Sequence, residues 1–122
     1  MRIYGKEVGF ALTVGASAEV AAMCPGGDLK RVGELLQGNF AETAEFAAKF
    51  IVALNKGYVS KKKWEGETAE EVCFEEIMSL DSRTFFDLQM EAMKAFGEDS
   101  EPEIETDAKK NQEGAESSPS DG

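Results

Sequence analysis

Apolar and polar residues change their period several times along this chain, and each change marks an element. At the start, Ile3-Tyr4 and the run Val8 to Val14 carry β-favouring residues on either side of Gly5-Lys6. This spacing predicts a hairpin closed by a two-residue turn with glycine at its first central position. From Ser17 onward the period becomes helical. Ser17 is placed to cap a short helix ending at Cys24, because Pro25-Gly26-Gly27 cannot continue it. Asp28 then caps a second helix to about Gln37, with Val32, Leu35 and Leu36 as its apolar stripe and Gly38 as its stop.

Asn39 with Glu42 three residues on forms a capping-box variant for a third helix, predicted to run to Lys56 and stop at Gly57. On a helical wheel Phe40, Ala44, Ala47, Phe50, Ile51 and Leu54 share one broad face, opposite a narrow polar stripe of Glu42, Glu45, Lys49 and Lys56. This is the expected central buried helix. Tyr58 to Gly66, with Lys61-Lys62-Lys63-Trp64 inside it, reads as a loop. Thr68-Ala-Glu-Glu71 reads as a capping box for a fourth helix whose inward positions are Val72, Cys73, Ile77 and Leu80. Asp81 caps a fifth, in which Phe85, Leu88, Ala92 and Phe96 fall within one arc and Gly97 marks the end. The expected fold is α+β and mostly helical: an N-terminal β-hairpin, then about five helices, forming a single domain over residues 1–97.

After Gly97 the chain holds almost no large apolar residue, and residues 98–122 are expected to form a disordered acidic tail. Charge sharpens this division. Of the formal −11, the segment 98–122 carries −7, from nine acids against Lys109 and Lys110, which leaves −4 for the body. Such a chain repels DNA and anionic membranes, since phosphate binding needs clustered cations. Basic or apolar protein surfaces are the expected partners, with no nucleic acid and no membrane. A body of this size buries a modest core and has little room for an internal ligand.

No stretch reaches the length of a membrane span. Val8 to Ala18, with Ala16-Ser17-Ala18, imitates a secretory signal after Arg2 and Lys6, but Glu7 abuts the apolar run and three residues dilute it. A cytoplasmic protein with two reduced thiols, Cys24 and Cys73, is the expectation, because no paired spacing joins them.

Candidate chemistry is thin. The chain has no histidine, so histidine-based triads and zinc sites are excluded. Glu67, Glu70, Glu71, Glu75 and Glu76 crowd the predicted fourth helix, but hard-cation sites draw oxygens from folded loops, so these read as a solvated acidic face. Gly26-Gly27-Asp28 before a helix would suit an anion, yet Asp28 fills that cap with its own charge. Lys61-Lys62-Lys63 with Trp64 and Tyr58 has the composition of a single-strand binder, but three lysines in an acidic protein neutralise few phosphates. No catalytic, cofactor-binding or metal-binding residue is expected, and the protein reads as a non-enzyme.

What remains is surface. Phe86 and Met90 swing about 100° to 140° away from Phe85 on the fifth helix, with Met93 between them and the core. Together with Trp64 they are the candidate partner-binding residues, of the adaptable kind that methionine-rich contacts provide. Burial of Phe86 and Met90 against the hairpin or the first helix is the alternative. The hairpin edge also leaves open pairing with a second copy of the chain.

Taken together, Ile3-Tyr-Gly-Lys-Glu-Val8, Thr13-Val-Gly-Ala16, Cys24-Pro-Gly-Gly-Asp-Leu29 and Phe50-Ile-Val-Ala-Leu54 resemble the small tail assembly chaperones of long-tailed phages and prophages of Gram-positive bacteria. The resemblance covers residues 1 to about 97. It implies a non-enzymatic role in the host bacterial cytoplasm. There the protein would bind the tape measure protein, and in some contacts the major tail protein, keeping the tape measure soluble while the tail tube assembles. It carries over no cofactor and no catalytic residue. Two other classes fit the same composition: an acidic inhibitor or DNA mimic occupying a basic protein surface, and a minor structural tail or head-tail connector component.

Overall fold

A computed structural model describes residues 1–104, with the side chains of 100–104 left out of the description. The expected α+β, mostly helical fold is present: a small N-terminal hairpin followed by five α-helices. Strands β1 (Arg2–Ile3) and β2 (Lys6–Glu7) pair antiparallel, with Arg2 opposite Glu7 and Ile3 opposite Lys6. The turn therefore lies at Tyr4-Gly5, one residue before the predicted Gly5-Lys6. Both turn residues are left-handed, Tyr4 at φ 51° and Gly5 at φ 79°, as a turn matching the twist of a hairpin demands.

The second strand stops at Glu7, so Val8 to Thr13 is not the strand its β-favouring residues suggest. It is an extended arm laid across a helix. Its Ala11 N–H and Gly9 carbonyl find their partners on that helix rather than on a neighbouring strand.

Helix α1 spans Val14–Met23 and starts earlier than expected. Thr13, rather than Ser17, is its N-cap, with the hydroxyl accepting from the Ala16 N–H at 3.1 Å. The predicted stop holds: Cys24 is the C-cap, and Pro25–Gly27 forms a 3₁₀ turn in which Gly26 is left-handed. Asp28 does cap, accepting from the Lys30 N–H at 2.9 Å, but it caps a second 3₁₀ turn, Leu29–Arg31. That turn leads into a short α2, Val32–Leu36.

Helix α3, Phe40–Trp64, is the axis of the fold and touches α1, α2, α4 (Phe74–Met78) and α5 (Ser82–Ile104). Asn39 caps it as predicted, accepting from the Glu42 N–H at 3.0 Å. It does not stop at Gly57. The helix continues through the segment expected to be a loop, and Gly66, at φ 85°, follows its end. Gly57 is in the helix because a side chain will not fit: a Cβ there would lie 2.5 Å from the Ala11 carbonyl oxygen of the crossing arm. Gly9 on the arm has the same role against the Tyr58 ring, 2.6 Å from a built Cβ. Two glycines thus let arm and helix meet backbone to backbone, and the Ala11 N–H donates to the Leu54 carbonyl at 3.0 Å.

Between α3 and α4 the chain is extended. The predicted capping box at Thr68 and Glu71 is absent; α4 is capped instead at Cys73, whose N–H donates to the Glu76 carboxylate at 2.9 Å. Val72 and Ile77 are buried as expected, whereas Cys73 is exposed. Asp81 caps α5 as predicted, accepting from the Thr84 N–H at 3.1 Å. The helix then passes Gly97 and runs on to Ile104, so residues 98–104 continue it. Beyond Gly97, Asp99 accepts from the Leu12 N–H at 2.8 Å and ties α5 to the arm. The expectation of disorder for 105–122 lies outside the described residues.

The core gathers on α3 at Phe50, Ile51 and Leu54, against Val20 of α1, Val32 of α2, Ile77 of α4 and Leu88 and Ala92 of α5. Phe40, assigned by periodicity to the buried face, is 46% exposed although it packs on Phe85 and Phe86 of α5. Among the described residues one polar side chain sits inside. Asn55 is fully buried; its Nδ2 donates to the Gly9 carbonyl at 3.1 Å and to the Glu70 carbonyl at 3.5 Å, and its Oδ1 accepts from the Val72 N–H at 2.9 Å.

The hairpin is held to α4 by Lys6, which donates to the Glu76 carboxylate at 2.8 Å and the Glu71 carbonyl at 3.1 Å, and by a 2.7 Å hydrogen bond between the Tyr4 and Ser79 hydroxyls. The Lys6 hydrogen bond, then the Cys73 N–H, lowers the Glu76 pKa below 4.5, while the Glu76 hydrogen bond raises that of Lys6 above 10.5. Each shift fixes a pH window. A depressed carboxylate contributes stability that is complete above its unfolded pKa and is lost as pH falls through the folded value. A raised lysine contributes below its unfolded pKa and loses that contribution as pH rises through the folded value.

Two tests follow from this packing. Asn55→Ala is expected to destabilise by about 2–4 kcal/mol in urea unfolding, since it orphans a buried acceptor and a buried donor; Gly57→Ala is expected to cost about 1–3 kcal/mol through overpacking. The control is Gly33→Ala in α2, where a Cβ meets nothing within 4 Å and a gain of a few tenths to about 1 kcal/mol is expected. Separately, the stability lost in Lys6→Met is expected to be constant near neutral pH and to shrink in acid melts only as pH falls through the depressed folded pKa of Glu76, leaving the part owed to the Glu71 carbonyl.

Candidate functional site

The candidate surface is built by the start of α3, the end of α4 and the first turns of α5. Asn39 fixes where α3 begins and so places Phe40 at its first position, at the edge of the core. Asp81 fixes the start of α5 and directs Phe85 inward and Phe86 outward. Phe86 packs its ring 5.4 Å from that of Phe40, and Phe85 meets Phe40 edge to face at 5.7 Å. Such pairs add about 0.5–1.5 kcal/mol beyond simple burial, enough to hold two half-exposed rings in place. Phe86 remains 44% exposed, and Met90, one turn further along α5, 71%.

Met78, 48% exposed at the end of α4, completes the patch. With Phe40 it lines a recess of about 130 Å³, together with Ala44, Ile77, Leu80, Phe85 and the polar Ser82. The exposed charged residues Glu42, Arg83, Asp87 and Glu91 lie along the same helices. A rigid aromatic pair, two flexible thioethers and an apolar recess form a surface suited to receiving apolar side chains of a partner.

Of the residues singled out from sequence, Phe86 and Met90 come together here. Met93 does not join them: it is half-buried and packs on the core. Trp64, 85% exposed, sits at the other end of α3, roughly 36 Å from Phe40 at the rise of an α-helix. Phe40 and Met78 were missed by periodicity. The usable signal for Phe40 is its position at the helix start, where burial is least complete.

The other sequence motifs resolve into structural roles. Lys62 lies 5.5 Å over the Tyr58 ring and pairs with Glu67 at 3.2 Å and Glu65 at 3.7 Å, and the bond to Glu67 raises its pKa. Glu76 is engaged by Lys6, and among the described residues no group of three histidine, cysteine, aspartate or glutamate side chains is arranged to hold a metal ion. No helix of the described residues is long and apolar enough to cross a membrane. Both thiols are free; Cys24 is buried, which pushes its pKa up, and Cys73 is exposed.

Comparison with known proteins finds no match among protein-family models, curated proteins or solved structures.

The thiols allow a direct check of this geometry. In the native protein a thiol reagent is expected to modify Cys73 quickly and Cys24 only on unfolding, read by mass spectrometry of the labelled peptides; equal rates would mean that the α1 terminus is open.

Proposed function

We propose that the protein is a non-enzymatic tail assembly chaperone of a long-tailed phage or prophage, acting in the host cytoplasm to hold the tape measure protein soluble while the tail tube forms. The sequence resemblance over residues 1 to about 97 motivates this reading, and one observation carries its mechanism: the exposed apolar patch of Phe40, Met78, Phe86 and Met90. A long chain destined for the inside of a tube presents apolar helical stripes before assembly. Helices with such stripes are captured by grooves that take side chains at three- and four-residue spacings. Phe86 and Met90 stand four residues apart on α5, and the recess beside Phe40 can seat a further apolar side chain. The thioethers repack around unlike side chains at low cost, which suits a long client that offers many similar segments. Folding gains little from leaving these four residues half in water, whereas capture requires it.

The test is co-expression. Phe86→Ser with Met90→Ser is expected to keep the fold, with a stability loss of no more than about 2 kcal/mol for two part-exposed positions, while the co-expressed tape measure protein moves from the soluble to the insoluble fraction. A double variant that folds and still protects its client would place the binding surface elsewhere. Protection retained by the wild-type protein only for basic nucleic-acid-binding proteins would favour the acidic-inhibitor class instead.

A further inference from the structure

We infer that the groove between the start of α1 and the end of α3 is a second docking surface, for an acidic polypeptide segment that carries an apolar side chain. This groove lies at the end of α3 opposite the Phe40 patch and does not depend on the chaperone reading. Its walls are Val14 and Trp64, 88% and 85% exposed, the highest values among the exposed large apolar residues described. Neither contributes appreciably to the core. Its floor is Ala53 and Gly57, both buried.

The charge around the groove runs against that of the molecule. The chain carries a formal −11, yet the groove is lined by Lys56 and Lys61 against a single acid, Glu19, which lies 3.9 Å from Lys56. Lys63 stands on the same last turn of α3. Among the described residues no ion pair engages Lys61 or Lys63, in contrast to Lys62 beside them. The first turn of α1, which opens onto the groove, has no acidic residue to offset its positive end. Lys61, which has no ion pair among the described residues, and Lys56, held only by Glu19 at 3.9 Å, line the groove beside an exposed indole and fit a segment that brings carboxylates for the rim and an apolar side chain for the floor. Nucleic acid is the poorer fit, because two lining lysines neutralise few phosphates and it brings no aliphatic side chain for the floor.

Trp64 is the single tryptophan of the chain, so its emission reports this groove alone. The probe is a synthetic peptide of repeated Glu-Asp-Leu, titrated into the full-length protein. A saturable shift of the emission to shorter wavelength is expected, weakening as salt is raised because the rim charges are exposed. Affinity is expected to fall about tenfold or more in Lys61→Glu with Lys63→Glu, as for charge reversal at an interface rim. Both lysines lack ion pairs among the described residues, so the fold should persist, as checked by circular dichroism. A Glu-Asp-Ser peptide, lacking the apolar side chain, and a Lys-Arg-Leu peptide, with the wrong charge, are expected not to bind. Absence of a shift, equal binding of the basic peptide, or unchanged affinity in the double variant would overturn the inference. So would an emission already at short wavelength in the full chain that moves to long wavelength when the chain is ended at Ile104. That result would make the chain's own C-terminal residues the occupant.

Discussion

The buried amide of Asn55 joins three parts of the chain that periodicity alone would leave independent. From the middle of α3 it holds the carbonyl of Gly9 on the N-terminal arm and the N–H of Val72, with the Glu70 carbonyl beside it, on the extended segment before α4. An amide can do this because it offers donors and an acceptor from one planar group. Each bond made in the dry interior is worth more than its counterpart in water, and each partner left unmatched would cost more. An aliphatic residue of similar volume would fill the space and leave two segments without a register. The close backbone approach at Gly9 and Gly57 then follows, since the arm can lie only where the amide holds it.

With the arm fixed, α3 and α5 are committed to running side by side in one direction. Phe40 meets Phe85 and Phe50 meets Phe96 at closely similar ring separations, 5.7 and 5.6 Å, over nearly equal lengths of helix. The bond from Leu12 to Asp99 locks the same alignment further along. The parallel arrangement uses the intervening chain, with its extended segment and α4, to return from the end of α3 to its beginning. Two opposite ends result, and the apolar residues not needed by the core are divided between them. Phe40, Met78, Phe86 and Met90 gather at one end, Val14 and Trp64 at the other.

The local signals of sequence were legible where one residue decides a local hydrogen bond or breaks a local pattern. Asn39, Asp28 and Asp81 cap where their side chains suggested, Pro25-Gly26-Gly27 ends α1, and Ala47, Phe50, Ile51 and Leu54 are buried as the wheel predicts, although burial from Phe50 to Asn55 extends all round the helix. Phe86 and Met90 were legible as residues surplus to the core for the same reason: their angle from Phe85 is set by helix geometry alone. Gly57 and Gly97 misled because a glycine that ends a helix and a glycine within one are identical as letters. The difference at Gly57 is the Ala11 carbonyl, more than forty residues away in the chain.

Sequence by itself therefore determined the fold class, most of the caps, the identity of the central helix and the two outward residues of α5, all of which rest on contacts within about one helical turn. Tertiary structure alone decided that Val8 to Thr13 is an arm and not a strand, that α3 runs on to Trp64, and that Phe40 and Met78 join Phe86 while Trp64 stands at the opposite end. Those outcomes depend on which distant backbone atom occupies a given space or accepts a given proton. A one-dimensional pattern encodes the preference of each residue for burial or exposure, but not the neighbour that satisfies it.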